Sequence, residues 1–235
     1  RDLRMSRGLG DVYKRQLYLL LIAAFIFSIF TSINVKGTFR KYNKMPSSRG
    51  MSAADIARQI LDSNGLYNVQ VTRVSGELTD HYDPRTNTVA LSAPVYDSVS
   101  VGAIGVAAHE VGHAIQYAEN YTPIRIRMAI LPVAQFGSSA WILFFILGIV
   151  FNMPILRGIG IGLFAAIVLF QLITLPVEFN ASHRALATIK NQGILFGAEY
   201  TGAKKTLTAA AMTYVASLAV ALLQLLRLIA SSRRD

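Results

Sequence analysis

The 235-residue chain has no cysteine, which excludes disulfides and thiolate metal sites and leaves histidines and carboxylates as its transition-metal ligands. Such a composition is compatible with a reducing compartment. Charge is also scarce: 15% of the residues are charged against 53% hydrophobic, and the mean hydropathy is +0.42. A soluble domain carries more charge and less apolar surface, so the composition points to a membrane protein. Acidic residues are the scarcer sign, 13 against 23 Lys and Arg, for a net charge of +10. In a soluble chain that excess would suggest nucleic acid. Here the basic residues flank apolar runs, where they meet anionic head groups and set topology, so nucleic acid is not an expected partner. The sequence has no internal repeat and no low-complexity segment.

Long apolar runs are what the sequence does have. Residues 17–35 (LYLLLIAAFIFSIFTSINV) are uncharged over about the 20 residues needed to cross a bilayer core. The Lys36–Lys41 flank reads as a stop-transfer signal, which favours a retained first transmembrane helix over a cleaved signal peptide. Residues 131–177 contain two more runs around a short turn at Phe151–Pro154, the pattern of a transmembrane hairpin, and residues 207–230 supply a fourth helix. The expected organisation is therefore mainly α, an integral membrane protein with about four transmembrane helices and a small α+β zincin-like catalytic unit over residues 36–130. A polar segment, residues 178–206, separates the hairpin from the last helix. Residues 1–16 (RDLRMSRGLGDVYKRQ) lack apolar periodicity and resemble translated linker sequence, so they are expected to be non-native and outside the fold.

Within residues 36–130, Ser52 opens an amphipathic pattern with Ile56, Ile60 and Leu61 on one face and an Asn64-Gly65 stop. Val69–Val74 alternates as a strand does, and Thr88–Ser92 reads as a second strand after a turn at Asp83–Asn87. From Ser98 the chain enters a helix carrying His109-Glu110-Val111-Gly112-His113. On a helix, positions i and i+4 lie one turn apart on one face, so both imidazoles reach one ion while Glu110 sits beside them. The flanking residues are small and apolar, as a buried helix requires. Burying two histidines and a glutamate without a metal would leave their polar groups to be satisfied some other way.

A catalytic zinc site takes three protein ligands and leaves a position open. A third histidine six residues after His113 would fall at position 119, which is Glu119, so the three-histidine spacing is absent. Glu178 is the first acidic residue after the apolar hairpin, and two membrane crossings return it to the side from which the HEVGH helix departs. It is the favoured third ligand, with His81 the alternative. One Zn2+ per chain is expected.

The strings AAHEVGHAIQ, EFNAS after a hairpin, and LTDHYDPRTNTVALS upstream resemble the neutral zinc metallopeptidases of bacterial membranes, the YugP-like family. The resemblance covers nearly the whole chain from Leu17. The HExxH plus ExxA pattern is more distantly similar to the membrane zinc proteases of the CAAX-prenyl and heat-shock types. The resemblance implies His109, His113 and Glu178 as zinc ligands and Glu110 as general base. His183 departs from the family pattern, which has an arginine before Arg184.

Peptide hydrolysis by zinc-activated water is the expected activity, on membrane or membrane-proximal proteins. Its alternative is a non-catalytic membrane scaffold or transporter subunit with a structural zinc site, and a zinc hydrolase of another amide would share the same residues. A structural site has no need of Glu110. Arg184, His183, Tyr117 and Tyr200 are candidates for stabilising the oxyanion. Asn180 and Ser182 could orient ligands. Thr88, Val89, Ala90, Leu91 and Ser92 form either an edge strand that pairs with extended substrate or an ordinary internal strand. Asp80–Asp83 reads as a polar turn or a second cation site. Lys36, Arg40, Lys41, Lys44, Arg125, Arg127, Arg184, Lys204 and Lys205 flank the site side, against Arg157, Arg233 and Arg234 on the other, so the site is expected to face the cytoplasm of a multi-pass cell-membrane protein.

Overall fold

The computed structural model describes residues 2–232, with side chains from residue 15 onward. The segment expected to be linker-derived falls almost wholly outside the described side chains, and Arg233 and Arg234 lie outside the described residues. In chain order the elements are α1 (Asp2–Tyr42), α2 (Ala53–Ser63), β1 (Gln70–Val74), β2 (His81–Asp83), β3 (Thr88–Ser92), α3 (Ala93–Tyr96), α4 (Val101–Ala118), α5 (Thr122–Val150), α6 (Pro154–Asn191) and α7 (Gly197–Ser232). Among the described residues four helices are long and apolar enough to cross a membrane: Arg15–Tyr42 of α1, α5, α6 and α7. The protein is mainly helical, with one small mixed sheet. The chain divides into two compact units, one of Arg1–Phe30, Ile126–Thr174 and Tyr214–Asp235, the other of Thr31–Arg125 and Leu175–Thr213.

The first unit consists of the apolar helices. Large side chains such as Leu19, Phe30, Leu143, Ile149 and Leu172 are about half exposed or more, which is the surface a bilayer covers. The α5–α6 turn closes with the αL residue Asn152 (φ 50°). Met153 N–H bonds the Gly148 carbonyl (2.9 Å) and Asn152 N–H the Ile149 carbonyl (3.2 Å), a Schellman pair that satisfies the last carbonyls of α5. The two helices then pack through glycine. A Cβ on Gly160 would lie 2.8 Å from both Phe145 N and Trp141 O, and one on Gly137 would lie 2.9 Å from Leu163 O.

The second unit is a helix-and-sheet assembly. Ser52 caps α2 by accepting from Asp55 N–H (3.1 Å), and Ile56, Ile60 and Leu61 are buried with Val89, Leu91, Val95, Ile104 and Ile189. Strand order is β1-β3-β2, with β1 parallel and β2 antiparallel to β3. Of the two readings of Thr88–Ser92, edge strand or internal strand, the internal one is observed. Val89 to Ser92 are buried, β1 pairs along the full strand and β2 pairs from Thr88 to Ala90, so β3 is the central strand. The Asp80–Asp83 cluster is mostly the short strand β2. Asp80 accepts from Ser92 N–H (2.7 Å) and Oγ–H (2.9 Å), while Asp83 pairs with the Arg85 guanidinium (3.0 Å).

The polar stretch 178–206 is helical on both sides of a turn. Helix α6 continues through Pro176 to Asn191, ends at Gly193 (φ 60°), and α7 begins at Gly197. Helix α5 likewise starts at Thr122, before the apolar run at 131, because a helix needs only its caps and hydrogen bonds to extend beyond a hydrophobic stretch.

Gly160→Ala should destabilise the hairpin by about 1–3 kcal/mol, because a methyl there meets backbone. Gly162→Ala, whose Cβ would meet nothing within 4 Å, should be neutral or slightly stabilising. Unfolding of both variants in mixed detergent micelles tests this, and equal stabilities would contradict the glycine-mediated approach.

Candidate metal centre

Helix α4 begins at Ser100, whose hydroxyl accepts from Ala103 N–H (3.2 Å), and is buried almost continuously from Val101 to Gln116. Small residues make this burial feasible. A Cβ on Gly102 would lie 3.0 Å from Asn43 N, one on Gly105 would lie 3.3 Å from Ala203 Cβ, and one on Gly112 would lie 2.7 Å from Ala181 O. The last contact brings α4 against the part of α6 that carries Glu178. The C-terminus of α4 closes with Asn120 in αL (φ 55°), where Tyr121 N–H bonds the Gln116 carbonyl (2.9 Å).

Across this contact His109 Nε2 lies 3.2 Å and His113 Nε2 3.5 Å from the same oxygen, Glu178 Oε2. The two imidazoles are nearly perpendicular, at 84° with centroids 4.7 Å apart. One ligand atom from each of the three residues lies within 4.8 Å of the others, and Glu178 is only 2% exposed. Both Nδ1 atoms are occupied elsewhere. His109 Nδ1 is 3.1 Å from Ser182 Oγ, and His113 Nδ1 is 3.0 Å from Gln116 Oε1. Imidazoles held by Nδ1 present Nε2 inward, and two nitrogens and a carboxylate oxygen suit zinc. The residues fit that ion.

Burial disfavours the charged Glu110, and this outweighs the attraction of the two imidazoles, so its pKa lies above the ordinary carboxylate value. Burial also works against the charged form of His113, but the hydrogen bond to Glu178 prevails and raises its pKa.

The structure brings together His109, Glu110, His113 and Glu178, with Ser182 against His109. His81, the alternative ligand, is exposed on β2 with Nδ1 2.8 Å from Thr79 O, and is not in the cluster. Arg184 donates to Asn180 Oδ1 (2.7 Å) and pairs with Glu119 (2.7 Å), while His183 is exposed. Tyr200 packs against the core and Tyr117 stands edge-on to Tyr82 at 6.1 Å. With β3 internal, the open strand edge beside α4 is that of β2, joined to it by this Tyr82–Tyr117 contact. Gln116 is the residue sequence reasoning missed. Its signal was an amide three residues after His113, hence on the same face, in an otherwise apolar helix.

An apolar multi-helix membrane protein with a buried His-His-Glu cluster is the class that fold and site define. The family model described as "Putative neutral zinc metallopeptidase" matches residues 17–233, and the chain belongs to that family. It is 50% identical over 210 residues to "Putative membrane protease YugP" of Bacillus subtilis (strain 168), covering 89% of this chain and 93% of the relative. No solved structure matches.

Removing the shared carboxylate should remove the ion. Glu178→Ala is expected to lose stoichiometric zinc, measured by plasma mass spectrometry on purified protein. Unchanged zinc content would exclude Glu178 as a ligand.

Proposed function

We propose that the protein is a zinc endopeptidase of the membrane that cleaves membrane or membrane-proximal proteins, with His109, His113 and Glu178 as ligands and Glu110 as general base. The observation that carries this reading is the convergence of both Nε2 atoms on Glu178 Oε2, with a buried Glu110 beside them. Zinc held there would acidify a water towards a pKa of about 7 and polarise a peptide carbonyl. Glu110 takes a proton from the attacking water and returns it to the leaving amine. Burial raises its pKa, which strengthens it as a proton acceptor. Ser182 contacts the His109 ring, and Tyr117, one turn beyond His113 on α4, is a candidate oxyanion donor. An extended substrate would pair with the open edge of β2. The catalytic unit is of zincin type.

Glu110→Gln tests the reaction. The variant should keep its zinc and lose about 10²–10⁴-fold in cleavage of an unfolded protein in detergent, the usual worth of a general base. Wild-type cleavage by the variant would refute the mechanism.

The excess of basic residues at the helix ends nearest the site supports a cytoplasmic orientation. Because the chain has no cysteine, Glu77→Cys gives a unique label at an exposed loop of the catalytic unit. An impermeant maleimide should react only after permeabilisation of the cells, and labelling of intact cells would reverse the orientation.

A further inference from the structure

Gln116 is fully buried, and every partner of its amide is identified. The Nε2 amine donates to Val177 O (2.9 Å) and to Asn180 Oδ1 (2.9 Å), while Oε1 faces His113 Nδ1 at 3.0 Å. The direction of each bond follows from groups that have no choice. A backbone carbonyl only accepts, so Val177 O requires the NH2 side of Gln116. The Arg184 guanidinium only donates, so its Nε (2.7 Å) requires the oxygen of Asn180, and that oxygen requires the Gln116 NH2 again. Glu119 pairs with the same guanidinium at 2.7 Å and holds it in place. With both N–H groups committed to α6, Gln116 must turn its oxygen to His113. Two acceptors flank the His113 ring, Gln116 Oε1 at 3.0 Å from Nδ1 and Glu178 Oε2 at 3.5 Å from Nε2, and the imidazolium donates to both. On losing one proton the neutral ring keeps the other on Nδ1, against the nearer acceptor, while Glu178 Oε2 is left to His109 Nε2 at 3.2 Å.

We propose that Gln116 is a positioning residue that selects the Nδ1–H tautomer of His113 and ties this ligand to the backbone beside Glu178. Val177 immediately precedes Glu178, so a single side chain grips the histidine of α4 and the peptide adjacent to the carboxylate of α6. The two halves of the centre are thereby held in one register, and Arg184 serves as the fixed donor that orients the relay. The proposal rests on the reading of His109, His113 and Glu178 as zinc ligands only for its effect on affinity. The tautomer is a property of the metal-free protein.

The chain has four histidines, so an ¹⁵N-histidine-labelled sample in lipid gives four imidazoles, with His113 assigned by its loss in His113→Gln. In zinc-free wild-type protein at alkaline pH, Nδ1 of His113 should carry the proton. A bare Nδ1 there would overturn the proposal without recourse to any Gln116 variant. Gln116→Met, similar in volume but without the amide, should shift His113 toward the Nε2–H form and weaken zinc about 10–100-fold in chelator competition, the usual cost of losing an outer partner of a ligand. Wild-type tautomer and zinc affinity in a folded Gln116→Met would equally overturn it. Absence of zinc binding by the wild type, with the Nδ1–H tautomer present, would instead refute the ligand assignment and leave the positioning role standing.

Discussion

The structure of the helix-and-sheet unit depends on the burial of one carboxylate. Glu178 is 2% exposed and faces two imidazole nitrogens at 3.2 and 3.5 Å. An isolated carboxylate in such a place would be strongly unfavourable, and only partners close at hand offset the lost hydration. Those partners come from another helix. Helices α4 and α6 must therefore meet at the level of Glu178, and much of the surrounding unit can be read as the means of bringing them there.

Both histidines of the cluster are held on the Nδ1 side by a polar partner, the Ser182 hydroxyl for His109 and the Gln116 amide oxygen for His113. Ser182 stands one turn beyond Glu178 and meets His109, while Gln116 stands one turn beyond His113 and meets α6. Each helix thus supplies a polar side chain directed at the other. Arg184 belongs to this arrangement. Its guanidinium is taken up by Asn180 and Glu119, which makes it a support for the centre rather than a free cation over it.

What was legible in the sequence was local or followed from counting. The HEVGH spacing specifies a helix face, and the Ser52 cap with Ile56, Ile60 and Leu61 specifies α2. Glu178 stood out because two crossings of the hairpin return the chain to its starting side. The features misread or left open were those set by pairing. Strand β2 has three residues, too few for a period, and its Asp-rich composition reads as a turn. Without β2, edge and internal readings of Thr88–Ser92 stay equally open, and the burial of Val89 to Ser92 is that of a central strand. Gln116 was legible only as a lone amide on the histidine face of α4, because its partners Val177 and Asn180 are defined only once α6 lies opposite.

Glycine explains how that opposition is achieved. The Gly112 position, where a Cβ would lie 2.7 Å from Ala181 O, is one residue before His113 and three after His109; Ala181 is three after Glu178 and one before Ser182. The helices therefore meet backbone to backbone at the level of the His-His-Glu cluster. Their separation there is set by backbone against backbone, which has almost no compliance, rather than by side chains that can change rotamer. Within the apolar unit, Gly137 and Gly160 bring α5 and α6 together by the same means. A centre assembled from two helices needs its ligand distances fixed to a few tenths of an ångström. Direct backbone contact one residue from a ligand delivers that, so the glycine inside HEVGH is as much a part of the site as the histidines on either side of it.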